Sequence, residues 1–282
     1  MRIRKTAIIG VGLIGASFAL ALRHNGICTE IDGSGRTEDN LLRAREAGII
    51  DHYFMDHARA CKDADLVVLA TPVGCFEGIM SEIRDVLKKG TIITDVGSTK
   101  GEIVEILERE IPEGVSFVGA HPIAGSDRSG IETASADLFN DAICIITPTE
   151  SSRHESLKTI GELWKQIGAR VIMMPPDEHD RIFSSVSHVP HITAYAIIKT
   201  LSDINPSYIN MSGQGFRDTT RIAMSSPEMW IDVCRSNRKN IMEHLDILIK
   251  NLESIKRLIE NNDYDQLRSL LNDAKELRES IE

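Results

Sequence analysis

The sequence predicts an α/β protein: an N-terminal doubly wound, mostly parallel sheet followed by an all-α C-terminal domain. Three observations carry this. Short β-branched runs alternate with helical patterns from residue 6 to about residue 173, a glycine triplet follows the first run, and the strand texture stops at Met174. Strands alternating with helices imply right-handed crossovers and parallel pairing.

In chain order, Thr6–Gly10, Leu66–Ala70, Thr91–Thr94, Val115–Gly119, Ile143–Thr147 and Ala169–Met173 read as buried strands. Between them, Phe76–Leu87 reads as a helix closed by Gly90. Glu155–Ile167 reads as another, opened by a Ser152/Glu155 capping box and closed by Gly168. Pro175-Pro176-Asp177 stops the last strand and caps a helix, and no strand is predicted beyond it. Ile241, Leu245, Leu248, Leu252, Ile255 and Ile259 then form an amphipathic stripe close to a heptad. Such a stripe serves either as domain core or as a helix shared with a second subunit. The domain boundary is expected between residues 174 and 175, giving domains over 1–174 and 175–282.

Composition narrows the function. Among 282 residues, 32 basic side chains face 42 acidic ones, for a net charge of −10. A nucleic-acid partner is not expected, because phosphate contacts need a basic surface. The five cysteines, Cys28, Cys61, Cys75, Cys144 and Cys234, lack paired spacings, so reduced cytosolic thiols are expected and no metal site. Arg2, Arg4 and Lys5 precede an apolar run over Ala7–Leu22 that imitates a signal peptide, but Gly10, Gly12 and Gly15 interrupt it. No stretch approaches the ~18 apolar residues of a membrane span. The expected location is cytoplasmic, with no membrane partner.

Ile8-Ile9-Gly10-Val11-Gly12-Leu13-Ile14-Gly15 is G-x-G-x-x-G directly after a strand and opening a helix, the Rossmann-type dinucleotide fingerprint. Gly10, Gly12, Leu13, Ile14 and Gly15 are therefore candidate cofactor contacts, with helix N–H groups and the helix dipole directed at pyrophosphate. The ribose-binding acid of NAD enzymes belongs about 20 residues past the last glycine. That position is Gly35, and Arg36 follows it; Asp32 comes three residues early, within or at the end of strand two. An arginine without a competing carboxylate suits a 2′-phosphate. NADP use is expected and NAD is not excluded, the alternative being that Arg36 is an ordinary solvated side chain. Thr71 and Pro72, at the end of the Leu66–Ala70 strand, are further cofactor contacts, since loops at strand C-termini face the ligand in such sheets.

Four further motifs carry candidate chemistry. Asp95-Val96-Gly97-Ser98-Thr99-Lys100 lies at a strand end, where Ser98 or Thr99 can also cap a helix. Gly119-Ala120-His121-Pro122-Ile123-Ala124-Gly125-Ser126 follows a strand, and a histidine there suits proton acceptance at neutral pH. A hydrogen-bonded structural histidine is the alternative. Ser187-His188-Val189-Pro190-His191 and Phe216-Arg217-Asp218-Thr219-Thr220-Arg221 lie in the helical part.

Together, GVGLIG, LATPV, DVGSTK, GAHPIAGSDRSG, SHVPH and FRDTTRIA, in that order over nearly the whole chain, resemble the prephenate dehydrogenases and their arogenate and cyclohexadienyl relatives. The resemblance implies oxidative decarboxylation of prephenate or arogenate with NAD or NADP. It makes the first domain dinucleotide-binding and the second a substrate and dimerisation domain, hence a homodimer through the C-terminal helices. It implies that His121 accepts the proton of the substrate's ring hydroxyl and that Ser98 hydrogen-bonds beside it. Arg221 corresponds to the arginine that grips the ring carboxylate, and Ser187 and His191 to substrate-pocket residues. Asp127 corresponds to an acidic position at the side-chain end of the pocket, with Asp218 and Trp230 weaker carry-overs. Gly35-Arg36 departs from the ribose-binding acid and leaves cofactor choice open. Two other readings stand beside this one. A β-hydroxyacid dehydrogenase would need a lysine base, and Lys199 alone lies between Lys165 and Lys239, away from SHVPH. A non-catalytic nucleotide sensor would have no use for His121 and Arg221.

Overall fold

The computed structural model describes residues 3–125 and 130–281. Among these residues are eight strands: β1 (Ile3–Ile9), β2 (Cys28–Ser34), β3 (His52–Phe54), β4 (Leu66–Leu69), β5 (Ile92–Asp95), β6 (Ser116–Ile123), β7 (Ile143–Thr147) and β8 (Arg170–Met173). They form one sheet in the order β3-β2-β1-β4-β5-β6-β7-β8. Every pairing is parallel except that of β6 with β7. Helices α1 (Leu13–His24), α2 (Glu38–Glu46), α3 (His57–Cys61), α4 (Phe76–Ile83), α5 (Gly101–Glu110) and α6 (His154–Gln166) connect the strands. Then come α7 (Pro176–Phe183), α8 (Val189–Ile204), α9 (Gln214–Thr220), α10 (Pro227–Ser236), α11 (Arg238–Glu260) and α12 (Tyr264–Glu279). Among the described residues no strand follows β8, as the sequence predicts.

Alternation along each strand fills both faces of the sheet. Ile8, Leu66, Val68 and Val118 pack in one cluster with Phe18, Leu22 and Trp164. Their neighbours Ala7, Ile9, Val67, Leu69 and Ile93 pack in the other with Phe76, Met80, Val104 and Leu107. Burial on both faces is why these strands read as continuous apolar runs rather than alternating ones.

Helix ends agree with the sequence where glycine decides them and depart where side chains do. Gly90 and Gly168 take left-handed φ values of 91° and 94°, conformations that cost an L side chain about 1–2 kcal/mol. The predicted Ser152/Glu155 capping box does not form. Arg153 is the N-cap of α6, and the Ser152 hydroxyl instead accepts from the Thr149 amide at 3.0 Å. The Pro175-Pro176-Asp177 turn does open a helix, as the sequence predicts, with Pro175 as its N-cap. Pro175 precedes α7 and Pro176 occupies its first turn, where a missing N–H costs nothing, and Asp177 sits within that turn, favourably placed in the helix dipole. The helix predicted over Phe76–Leu87 breaks after Ile83 into a tighter turn over Arg84–Val86.

The chain forms two compact units, Met1–Arg238 and Lys239–Glu282. The second holds most of α11 and all of α12. Several of its large apolar side chains are exposed, among them Leu252, Ile259, Leu271 and Leu277. No helix of the described residues is long and apolar enough to cross a membrane. In the first unit, strand order reverses at β1, whose neighbours are β2 and β4. Open α/β sheets hold ligands in the crevice beyond the strand C-termini at such a reversal.

Candidate active site

That crevice is a cavity of about 510 Å³ lined by Gly10, Gly12, Arg36, Thr71 and Pro72, among others. The three motif glycines are needed for three separate reasons. Gly10 has φ +98°, and a Cβ there would stand 2.5 Å from the Ala70 carbonyl oxygen. A Cβ on Gly15 would collide with the Gly10 carbonyl oxygen, so α1 lies directly on the β1 turn. A Cβ on Gly12 would meet nothing within 4 Å, although Gly12 is the N-cap of α1. The fold thus leaves the space beside Gly12 open to a ligand. No side chain caps α1 and no acid sits in its first turn, which leaves the Leu13 and Ile14 amides to an anion. The Thr71 hydroxyl oxygen is buried in the same cavity without a hydrogen-bond partner among the described residues. An anionic dinucleotide fits these features.

Asp32 lies within β2, buried, with Lys5 Nζ at 2.7 Å and His52 Nδ1 at 3.0 Å. It is committed to the sheet, and of the Glu30, Asp32 and His52 cluster both carboxylates already pair with the Lys5 ammonium. At the β2 terminus, Ser34 holds His57 Nδ1 at 2.8 Å, and Arg36 stands exposed beside Gly35. Asn40 donates to the Val11 carbonyl at 2.7 Å, anchoring the glycine turn from α2.

His121 is not in a loop after its strand; it lies inside β6. The strand outruns β5, whose last partner is Val118, because antiparallel β7 pairs it onward from Gly119 to Ile123. Where β5 ends, Asp95 replaces the missing ladder: its carboxylate accepts from Ala120 N–H at 3.0 Å and Gly97 N–H at 2.8 Å, and pairs with the fully buried Lys100. His121 is 8% exposed, and its Nδ1 is 2.8 Å from His179 Nε2. His179 Nδ1 is in turn 2.8 Å from Asp180 Oδ1. Burial, with His179, Lys100 and His188 around it, pushes the His121 pKa well below 6.5. Burial also lowers His179, against the pull of Asp180. Both shifts favour the uncharged imidazole at neutral pH.

Ser98 is half-buried in the turn between β5 and α5. Neither it nor Thr99 caps α5: Asp180 does so from α7, accepting from Lys100 N–H at 2.7 Å and Gly101 N–H at 2.8 Å. Thr99 pairs with Ser236 at 2.8 Å. Ser187 and His188 fall in a π-helical turn over Ser184–His188. Pro190, which has no N–H and crowds the carbonyl four residues back, starts the following helix and accounts for the widened turn. His188 Nδ1 meets Asn237 Nδ2 at 3.1 Å, and burial lowers its pKa to about 4. His191 donates from Nδ1 to the Ser187 carbonyl at 2.8 Å and stacks on the buried Trp230 ring at 4.0 Å. Burial lowers its pKa, the Ser187 carbonyl opposes this, and the Arg221 charge adds to the lowering. Arg221 itself is exposed. Asp218 is exposed and accepts from Gln214 at 2.7 Å. Asp127 lies outside the described residues.

Sequence reading gave no role to Asp95 and Lys100, although it placed both in a motif, and missed His179, Asp180 and Asn237. For the first two a signal existed, since an aspartate closing an apolar strand five residues before a lysine is costly to bury unless the two pair. His179, Asp180 and Asn237 carried none; only the fold brings them to His121 and His188.

Models of two parts of one family match the chain: the prephenate dehydrogenase nucleotide-binding domain over residues 18–173 and the prephenate dehydrogenase dimerization domain over 175–273. The chain belongs to the prephenate dehydrogenase family. Prephenate dehydrogenase of Bacillus subtilis is 33% identical over 278 residues, covering 97% of this chain and 75% of its relative. Cyclohexadienyl dehydrogenase of Zymomonas mobilis is 31% identical, covering 96% and 94%. The crystal structure of A. aeolicus prephenate dehydrogenase, in complex with hydroxyphenyl propionate and NAD+, superposes with a TM-score of 0.94 at 34% identity, covering 100% of this chain and 99% of the other. Prephenate dehydrogenase family membership agrees with the dinucleotide-binding sheet and supports NAD or NADP as cofactor.

Proposed function

We propose that this chain catalyses the NAD- or NADP-dependent oxidative decarboxylation of prephenate to 4-hydroxyphenylpyruvate, or of arogenate to tyrosine, as a step of tyrosine biosynthesis. The observation that carries the reading is a buried, uncharged histidine on β6, a strand of the same sheet whose β1 and β4 ends form the nucleotide cavity. When bound, the oxidised nicotinamide supplies the acceptor for the hydride leaving C4 of the ring. His121 takes the C4 hydroxyl proton, with Ser98 hydrogen-bonding beside it. The C1–carboxylate bond then breaks, its electron pair enters the ring, and CO2 departs. The new phenolate oxygen recovers the proton from His121, so atoms and charge balance with no net proton released. Arg221 holds the ring carboxylate, with Ser187, His191, Asp218 and Asp127 as further pocket residues; a planar guanidinium orients a carboxylate without hindering its loss as neutral CO2.

We also read the functional division at residues 174/175, which coincides with the seam between the two family-model matches. The exposed apolar residues of α11 and α12 support a homodimer through these helices.

Turnover of prephenate and arogenate, each with NAD and NADP and followed by nicotinamide absorbance, tests the reading; no turnover in any combination overturns it. His121→Asn is expected to lower kcat by ~10²–10⁴-fold with KM little changed. In the wild type, kcat/KM is expected to rise with pH through a single ionisation below 6.5, because the base must be deprotonated and burial lowers its pKa. An unchanged kcat in the variant removes His121 from the mechanism.

A further inference from the structure

A histidine can accept a proton only at the ring nitrogen that does not already carry one, and the surroundings of His121 decide which nitrogen that is. Both oxygens of Asp180 accept backbone N–H groups at the start of α5, at 2.7 Å from Lys100 and 2.8 Å from Gly101. A carboxylate engaged this way is an acceptor for His179 as well, so His179 Nδ1 carries the hydrogen in their 2.8 Å contact. Neutral His179 then has only a lone pair on Nε2, and the 2.8 Å contact to His121 requires His121 Nδ1 to be the donor. His121 Nε2 is left with the lone pair.

The rings cannot easily rotate out of this arrangement. Phe183 stacks on His179 at 4.5 Å and meets the His121 ring edge-on at 4.9 Å. His179 is fully buried. Asn237 donates to the Asp180 backbone carbonyl at 2.7 Å, tying the end of α10 to α7. The other charged or titratable groups around His121 among the described residues are Asp95 at the end of β5, Lys100 at the start of α5, His188 after α7, and Cys144 on β7.

We propose that His179 and Asp180 are positioning residues which fix His121 as the Nδ1–H tautomer and so present its Nε2 lone pair to the substrate hydroxyl. The inference rests on the reaction proposed above only for its catalytic consequence. Because the proton returns to the oxygen it left, the Asp180–His179–His121 chain is a clamp on the tautomer rather than a wire to solvent. An imidazole held in the wrong tautomer is a base in composition only.

The test uses the full-length protein labelled with 15N-histidine, and long-range 1H–15N correlations assign the tautomer of each ring without substrate. The wild type should show His121 as Nδ1–H. His179→Phe keeps the ring packing but removes both nitrogens, and should release His121 to the Nε2–H form or a mixture. It should lower kcat by about tenfold or more, with KM for substrate and cofactor nearly unchanged. His179→Gln offers a side-chain oxygen to His121 Nδ1–H and should restore both the tautomer and most of the turnover. An Nε2–H His121 in the wild type overturns the proposal, even where His179→Phe fails to fold. So does an unaltered tautomer or kcat in a folded His179→Phe. If neither prephenate nor arogenate is turned over, the functional reading fails while the spectra still decide the clamp.

Discussion

Replacing Gly12 by alanine separates a glycine required by the fold from one required by a ligand. Gly12 has φ −102° and ψ −161°, extended backbone that alanine adopts, and the new Cβ would meet no protein atom within 4 Å. The loss of chain freedom in the unfolded state favours alanine by about 0.4–1 kcal/mol. The poorer N-cap opposes it by a similar amount. Net stability should change by less than about 1 kcal/mol, a Tm shift of under roughly 4 °C. Cofactor affinity should behave very differently. A methyl group in the space reserved for pyrophosphate lifts it from the Leu13 and Ile14 amides, and two charge-assisted hydrogen bonds at about 1.5–3 kcal/mol each amount to roughly 3–6 kcal/mol. At about 1.4 kcal/mol per tenfold, Kd should rise by on the order of 10²–10⁴-fold. Gly10→Ala is the contrast: φ is +98° and the Cβ faces backbone at 2.5 Å, so a loss of roughly 2–4 kcal/mol and a Tm lower by several degrees are expected. Thermal melts of the apo proteins and fluorescence titrations with NAD and NADP provide both quantities. A Gly12→Ala protein that binds both cofactors normally, or that melts as early as Gly10→Ala, refutes the assignment of the open space to phosphate.

Three other perturbations follow from the geometry. Arg36→Ala should weaken NADP more than NAD in titrations of the free enzyme, because Arg36 lines the mouth of the cavity; selective loss of NAD would contradict its pairing with a 2′-phosphate. Arg221→Ala should raise substrate KM by roughly 10- to 150-fold, worked from about 1.5–3 kcal/mol for hydrogen bonds to a charged partner. Cofactor KM and Tm should be unchanged, and a lower Tm with intact KM would make the arginine structural. Acid should destabilise the fold before carboxylates titrate. The pKa values of His121, His179, His188 and His191 are all lowered, so between those values and 6.5 the unfolded chain binds more protons and stability falls as pH falls. For His188, with its pKa at about 4 against 6.5, the loss by pH 5 is on the order of 2 kcal/mol. A Tm that does not drop between pH 7 and pH 5 would exclude this.

The nucleotide half was legible because its signals are local. Three glycines, a strand before them and a helix after them lie within ten residues, and each is constrained by neighbours only a few positions away or by the adjoining strand. Arg36 follows from its spacing past the last glycine, and Thr71-Pro72 from the rule that loops at strand C-termini face the ligand. β2 showed no apolar run, because it carries Asp32 and Gly33, and was inferred only as the strand that holds or ends at Asp32; Lys5, a partner outside the strand, makes that aspartate tolerable. The position of His121 was misjudged by a few residues because the strand's end is set by β7, which follows it in sequence. His179 and Asp180 stay silent in the sequence for the same reason: nothing within reach of a sequence window shows that α7 closes over β6. Roles for Arg221 and His191 came from resemblance to a family, and the fold adds the stacking of His191 on Trp230.

The cofactor cavity is lined wholly by residues between Gly10 and Glu82, whereas the Asp95–Lys100 pair and the His121–His179–Asp180 chain come from later in the sequence and share no residue with it. Coupling between substitutions needs shared partners, and only the bound ligands are common to the two sets, so their effects on the stability of the free protein should combine nearly additively. Selection could therefore retune which nucleotide is consumed, through residues such as Arg36, while leaving proton handling untouched. A lineage moving between cellular pools of NAD and NADP would need to alter only the first third of its chain.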